Sequence, residues 1–100
     1  MSNILKNIFN KDIRPKYIES KYLKNLSRNI DYQIVHVMPR EEWTNNHILF
    51  SVLIVPGEFK KVYKSVLDKT KKIIILGEYH HMAQYYRFLE YHGYEVYLLN

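Results

Sequence analysis

The chain contains no cysteine among its 100 residues. That absence excludes disulfide bonds, cysteine-bound metals, thiolate catalysis and persulfide chemistry, and it leaves the redox compartment open. Glycine is also scarce: Gly57, Gly77 and Gly93 are the only three, too few and too dispersed for a glycine-rich phosphate loop. No apolar run approaches the roughly 18 to 20 residues of a membrane span, and the first residues do not resemble a signal peptide. We therefore expect a cytoplasmic protein.

The net positive charge of the chain comes from its first third. Residues 1–30 carry seven basic and two acidic side chains, seven minus two, which equals the net charge of +5 for the whole chain. Residues 31–100 therefore sum to zero. The basic residues between positions 6 and 28 could attract nucleic acid or another anionic surface. The simpler interpretation is that they keep exposed helix faces soluble.

Apolar strands alternate with amphipathic helices along the chain. Strands are predicted at residues 17–19, 33–38, 51–55, 72–76 and 95–99. Helices are predicted within residues 1–15, at 20–29 with Ser20 as N-cap, after Pro39, and at 58–68 and 82–91. This alternation predicts a single α/β domain over residues 1–100, in which residues 1–15 form a helix and connector and residues 16–99 form the core. We expect a parallel sheet of about five strands with helices on both faces.

A six-residue loop, from Leu76 to His81, is predicted where the strand at 72–76 passes into the helix at 82–91. In a parallel sheet, ligands bind where the carboxyl end of a strand meets the start of a helix. The candidate ligand or partner residues there are Gly77, Glu78, Tyr79, His80 and His81. The loop contains no nucleophile, and Glu78 places negative charge where an anion would bind.

Several motifs, in order, resemble the rhodanese-like domain. They are residues 32–43 (YQIVHVMPREEW), Asn46-His47-Ile48, residues 51–56 and Glu58-Phe59. The family has a strand ending in an Asp-Val-Arg-like tripeptide, then a Glu followed by an aromatic, a Gly-His-Ile turn and a strand ending before proline. The resemblance covers about residues 17 to 99. It implies a parallel α/β fold and, in active members, sulfur transfer by a loop cysteine.

This sequence departs from the family at the positions that carry the chemistry. By this resemblance, Leu76 stands at the cysteine nucleophile and His81 at the loop arginine. His36 and Met38 replace the Asp and Arg of the tripeptide, and we expect both to line the pocket. The resemblance therefore implies a catalytically degenerate member, not an enzyme, with no catalytic residue, no metal and no cofactor.

Two function classes remain open. The favoured one is a non-catalytic rhodanese-like module, monomeric or weakly dimeric, that binds a protein partner or senses a ligand through the former active-site loop. The alternative is a remodelled enzyme or metal-binding protein that uses His36, Glu78, His80 and His81, although their spacing is not diagnostic. His47, in the Gly-His-Ile turn, is expected to have a structural hydrogen-bonding role.

The family's final helix has no counterpart before Asn100. We therefore expect one sheet face to be less covered. The apolar stripe Ile4, Leu5, Ile8 and Phe9 of the first predicted helix is expected to pack on that face.

Overall fold

Five strands form one parallel sheet in the order β1-β5-β4-β2-β3. The computed structural model describes residues 15–99, with the backbone alone for Tyr79 and His80, so the helix predicted within residues 1–15 lies almost wholly outside the described part. The strands are β1 (Tyr17–Ile18), β2 (Tyr32–Val37), β3 (Val52–Ile54), β4 (Lys72–Gly77) and β5 (Glu95–Leu99). All four pairings are parallel. The predicted sheet is confirmed.

Within the described residues, four helices connect the strands. They are α1 (Leu23–Leu26), α2 (Arg40–Asn45), α3 (Phe59–Val66) and α4 (Tyr79–Tyr91); the 3₁₀ turns Ser20–Tyr22 and Pro56–Glu58 precede α1 and α3. No helix within residues 15–99 has both the length and the apolar character needed to cross a bilayer.

The predicted helix at residues 20–29 is wrong in length and in its cap. Ser20 begins a 3₁₀ turn instead of capping a helix, and the α-helical part ends at Leu26. Short polar side chains compete with the helical backbone after that point. The Ser27 hydroxyl donates to the Lys24 carbonyl (2.8 Å), and the Asn29 side chain accepts from the Asp31 N–H (2.9 Å).

The end of α4 follows the sequence prediction. Gly93 has φ +89°, a conformation that glycine adopts without a Cβ penalty. Its N–H donates to the Glu90 carbonyl and the Tyr94 N–H donates to the Leu89 carbonyl, both at 3.0 Å. These two bonds form a Schellman motif, with Gly93 as the predicted C′ residue.

The two faces of the sheet are covered unequally. The thick face packs against α3 and α4, and its buried residues are Val35, Val37, Ile54, Phe59, Tyr63, Leu67, Ile73, Ile75, Met82, Tyr85, Tyr86, Leu89, Tyr94, Val96 and Leu98. The thin face packs against α1 and Ile48, and its buried residues are Leu23, Ile34, Ile74 and Leu76. Helices therefore lie on both faces, as predicted, but most of the core lies on one.

Candidate functional site

A cavity of about 480 Å³ opens at the carboxyl edge of the sheet. The register of β2 and β4 places His36 beside Leu76 and Val37 beside Gly77 at this edge. The cavity lining consists of Tyr17, His36, Met38, Glu42, Asn46, His47, Ile48, Ile75, Leu76, Gly77, Glu78, Met82, Leu98 and Leu99. Of the residues selected from the sequence, His36, Met38, Leu76, Gly77 and Glu78 are brought together here.

The predicted six-residue loop is wrong. Strand β4 continues to Gly77 and α4 begins at Tyr79, so Glu78 alone connects them. The N–H groups of His81 and Met82 both donate to the Glu78 carbonyl, at 3.0 and 3.2 Å, which closes the first helical turn. No glycine or proline occurs between Glu78 and Tyr91 to interrupt the helix. Residues 79–81, predicted as loop, are therefore the first turn of α4.

Gly77 holds the end of β4 close to its neighbours. A Cβ at this position would lie 2.5 Å from the Val37 carbonyl oxygen and 2.6 Å from the Met82 side chain. Because both distances are far below van der Waals contact, only glycine fits at the point where β4 passes into α4. The closeness of strand and helix at the cavity floor depends on it.

Leu76 presents an apolar side chain where the resemblance places a nucleophile. It is almost fully buried and belongs to the thin-face cluster with Leu23, Ile34 and Ile74. It also lines the cavity. The floor of the cavity at this position therefore offers packing surface and no reactive atom.

His36 is the buried polar residue of the cavity, with 5% of its surface exposed. Its Nε2 accepts a hydrogen bond from the Ile48 N–H at 3.2 Å, so in the neutral ring the proton is assigned to Nδ1. Burial lowers the pKa of His36, and nearby His47 lowers it further, so the ring is neutral at neutral pH. Within the described part of the chain, Nδ1 is buried without a hydrogen-bond partner. A buried donor of this kind requires an explanation.

The model of the rhodanese-like domain family matches residues 19–100, which is most of the chain. The chain belongs to this family. No match was found among curated proteins.

Solved structures show the same fold at low sequence identity. A rhodanese-related protein of Thermoplasma volcanium has a TM-score of 0.70 at 18% identity, covering 85% of this chain and 83% of its own. A protein of Lactobacillus plantarum has a TM-score of 0.68 at 14% identity, covering 99% and 87%. A single-domain sulfurtransferase of Saccharomyces cerevisiae has a TM-score of 0.57 at 17% identity, covering 86% and 85%. At these identities the structural similarity establishes the fold alone. This rhodanese-like domain differs from a cysteine-dependent sulfurtransferase in having no cysteine.

His47 has the structural role expected from the sequence. Its Nδ1 lies 2.6 Å from the Trp43 carbonyl oxygen, and its ring stacks on the Trp43 indole with centroids 4.0 Å apart. These contacts hold the segment after α2 against the cavity. They also place Ile48 where its N–H reaches His36.

Two carboxylates give the cavity of this rhodanese-like domain an acidic lining. Glu42 comes from α2 and Glu78 precedes α4. The Glu78 carboxylate lies 4.0 Å from His81 Nδ1 and adjoins the positive end of the α4 dipole, where a negative charge is stabilised. The negative charge of the Glu78 carboxylate thus already occupies the position at the start of α4 where an anionic ligand would bind. An anionic ligand in the cavity would be repelled by it.

The structure gives little support to the predicted metal set. No group of three or more histidine, aspartate or glutamate residues lies close enough to hold a metal ion within the described residues, which exclude the His80 side chain. His36 Nε2, the nitrogen that could bind a metal in this tautomer, already accepts the Ile48 N–H.

Sequence reasoning missed several residues of the cavity, among them Tyr17, Glu42, Asn46 and Met82. Glu42 could have been selected from the sequence, because it lies in the first turn of a helix that follows a strand ending at the carboxyl edge. Tyr17 had none, since its place in the cavity depends on β1 pairing with β5 at the far side of the sheet.

Proposed function

We propose that this rhodanese-like domain is a non-catalytic binding module. Its binding site is the carboxyl-edge cavity, with the first turn of α4 as part of the rim. The observation that carries the proposal is the cavity itself, which keeps a volume of about 480 Å³ although Leu76 lies where a nucleophile is expected. An open apolar cavity with a few polar groups is the usual form of a ligand site.

The lining favours a ligand that is apolar with a neutral or positively charged end. Leu76, Ile48 and Leu99 provide apolar surface, whereas Glu42 and Glu78 provide negative charge. A lysine side chain of a partner protein has this combination of groups, as does a small alkyl amine.

Both the composition of the chain and the cavity lining argue against sulfur transfer. A persulfide carrier requires a cysteine thiolate, and the chain has no cysteine. The carboxylates of Glu42 and Glu78 oppose binding of thiosulfate, which is a dianion. We therefore expect thiocyanate release from thiosulfate and cyanide at the rate of buffer alone, and turnover above that rate would refute the non-catalytic assignment.

Binding is tested by titrating isotope-labelled protein with n-butylammonium, which reproduces the end of a lysine side chain, and separately with thiosulfate. We expect butylammonium to shift the amide resonances of Ile48, Leu76 and Met82, and thiosulfate to leave them unchanged. The double variant Glu42→Gln/Glu78→Gln should weaken butylammonium binding. The matched control Glu41→Gln/Glu58→Gln, which changes carboxylates outside the cavity lining, should not. Thiosulfate shifts centred on Leu76, or equal weakening by both double variants, would contradict the proposal.

A further inference from the structure

A groove of about 760 Å³ lies at the amino edge of the sheet, opposite the cavity. Most of its lining residues lie just before β2 and β3 or in the first residues of these two strands. Lys71, the residue before β4, completes the lining. Ile34 and Val52 line it together with Ile30 and Phe50, and Arg28 and Lys71 add positive charge. Because the strands are parallel, this groove and the cavity lie at opposite ends of the same strands.

The groove is bordered by large apolar side chains that the fold leaves in solvent. Ile30 is 80% exposed and Phe50 is 68% exposed, and Leu49, next to Phe50, is 56% exposed. Single exposed apolar residues are common, but two such residues lining one groove form a patch of the kind found at interaction sites.

Phe50 is also held in a backbone conformation that suits glycine. Residues 48–51 form a turn in which the Ser51 N–H donates to the Ile48 carbonyl at 3.0 Å. Phe50 is the third residue of this turn and has φ 67°, the only positive φ at a non-glycine residue in the described part of the chain. Turns of this kind favour glycine or asparagine there, because a Cβ is strained. The domain thus keeps a strained aromatic residue whose ring contributes little to its own core.

Charge indicates what would bind. Arg28 and Lys71 line the groove, and none of its lining residues is acidic. Asp31 is exposed in the adjacent segment, and Lys72 begins β4 beside Lys71. The lining therefore complements a partner with negative charge around an apolar group.

We propose that the amino-edge groove binds an acidic peptide segment of a partner protein. One aliphatic or aromatic side chain of the peptide inserts between Ile30 and Phe50, and flanking carboxylates pair with Arg28 and Lys71. Phe50 is an anchor of this surface, and the strain in its turn is retained for binding. This surface is separate from the cavity, so it stands whether or not the cavity binds a ligand.

The test is a titration of isotope-labelled protein with the peptide Glu-Glu-Leu-Phe-Glu-Glu. We expect amide shifts confined to residues 27–34, 49–52 and 71. Phe50→Gly should weaken binding roughly tenfold and raise the melting temperature, since it removes both the anchor and the strain. A loss of binding in a more stable protein cannot result from unfolding. Arg28→Glu/Lys71→Glu should also weaken binding roughly tenfold.

Matched controls separate the groove from general properties of the surface. Tyr91→Ala removes an aromatic side chain that is 86% exposed on α4, and Lys61→Glu/Arg87→Glu reverses two charges on α3 and α4; neither should change the affinity. Binding of hexaglutamate or of Lys-Lys-Leu-Phe-Lys-Lys as tight as that of the test peptide would overturn the proposal. Wild-type affinity in Phe50→Gly would do so too. Stronger shifts of the same amides with anionic phospholipid vesicles or single-stranded DNA would also overturn it, by assigning the groove to another class of partner.

Discussion

The thick and thin faces of the sheet share the same strands but have very different cover. On the thick face, aromatic side chains pack in contact, with Phe59 and Tyr85 centroids 4.2 Å apart and Tyr63 and Phe88 centroids 4.9 Å apart. On the thin face, only four apolar residues are buried within residues 15–99, and α1 is a single turn. Within residues 15–99, most of the apolar packing of this sheet therefore lies on one face.

Alanine substitutions in β4 provide the sharpest measure of this contrast. Ile73 and Ile74 are neighbours, are of the same type and are both fully buried, but Ile73 lies on the thick face and Ile74 on the thin face. Isoleucine-to-alanine changes cost about 2 to 5 kcal/mol, least where the surroundings can collapse into the space. We expect a loss of about 4 kcal/mol in the free energy of unfolding for Ile73→Ala and about 2 kcal/mol for Ile74→Ala.

Urea unfolding followed by circular dichroism gives both values, and each single variant serves as the other's control. Equal losses, or a larger loss for Ile74→Ala, would show that the thin face is as tightly packed as the thick one. In that case the thin face would have cover beyond α1 and Ile48.

Deletion of residues 2–11 tests one source of such cover. The sequence predicts an amphipathic helix there, and we propose that its apolar side chains pack on the thin face. Burial of two of them at about 1.5 kcal/mol each would make the deletion cost about 3 kcal/mol in the free energy of unfolding, or drive dimerisation. The variant Lys6→Gln/Lys11→Gln keeps the apolar stripe and should unfold like the wild type. A monomeric deletion variant of unchanged stability would show that the segment does not pack on the domain.

A smaller effect on stability is expected from a change of pH, through His36 at the carboxyl edge of the sheet. Its folded-state pKa is lowered by burial and then by His47, so the unfolded chain binds a proton more readily. His36 therefore contributes stability above its unfolded pKa of about 6.5, and this contribution is lost as pH falls through the folded value. We expect the melting temperature of the wild type to fall between about pH 7 and pH 5 more than that of His36→Gln, which keeps an acceptor for the Ile48 N–H. Parallel pH profiles for the two proteins would exclude His36 as the cause.

The sheet could be predicted from the sequence because its signals are local and strong. The apolar runs of β2 and β4 bury residues on both faces, and such runs are typical of parallel strands between helices. Gly93 was also predictable, because a glycine after a helical pattern is a common C′ residue. Here local preference and tertiary structure agree.

The start of α4 could not be predicted in the same way. The loop was inferred because the helical apolar pattern was recognised only from Met82, whereas the residues after Gly77 contain nothing that stops a helix. The groove was missed for another reason. Ile30 and Phe50 are far apart in sequence, and nothing local indicates that Phe50 takes a conformation suited to glycine. The groove exists only because segments that are distant in sequence lie next to each other in the folded domain.

The close fit around Gly77 restricts how this domain could change by mutation. Any side chain at residue 77 would collide with the Val37 carbonyl and Met82, so a nucleophile cannot be introduced there by a single substitution without displacing β2 or α4. Leu76, the neighbouring position, is part of the packed thin face, and its replacement would leave a space in that cluster. Each route to a reactive residue at this edge therefore begins with a loss of stability before any activity is gained. The packing at Gly77 and Leu76 thus opposes the gain of a nucleophile at the end of β4.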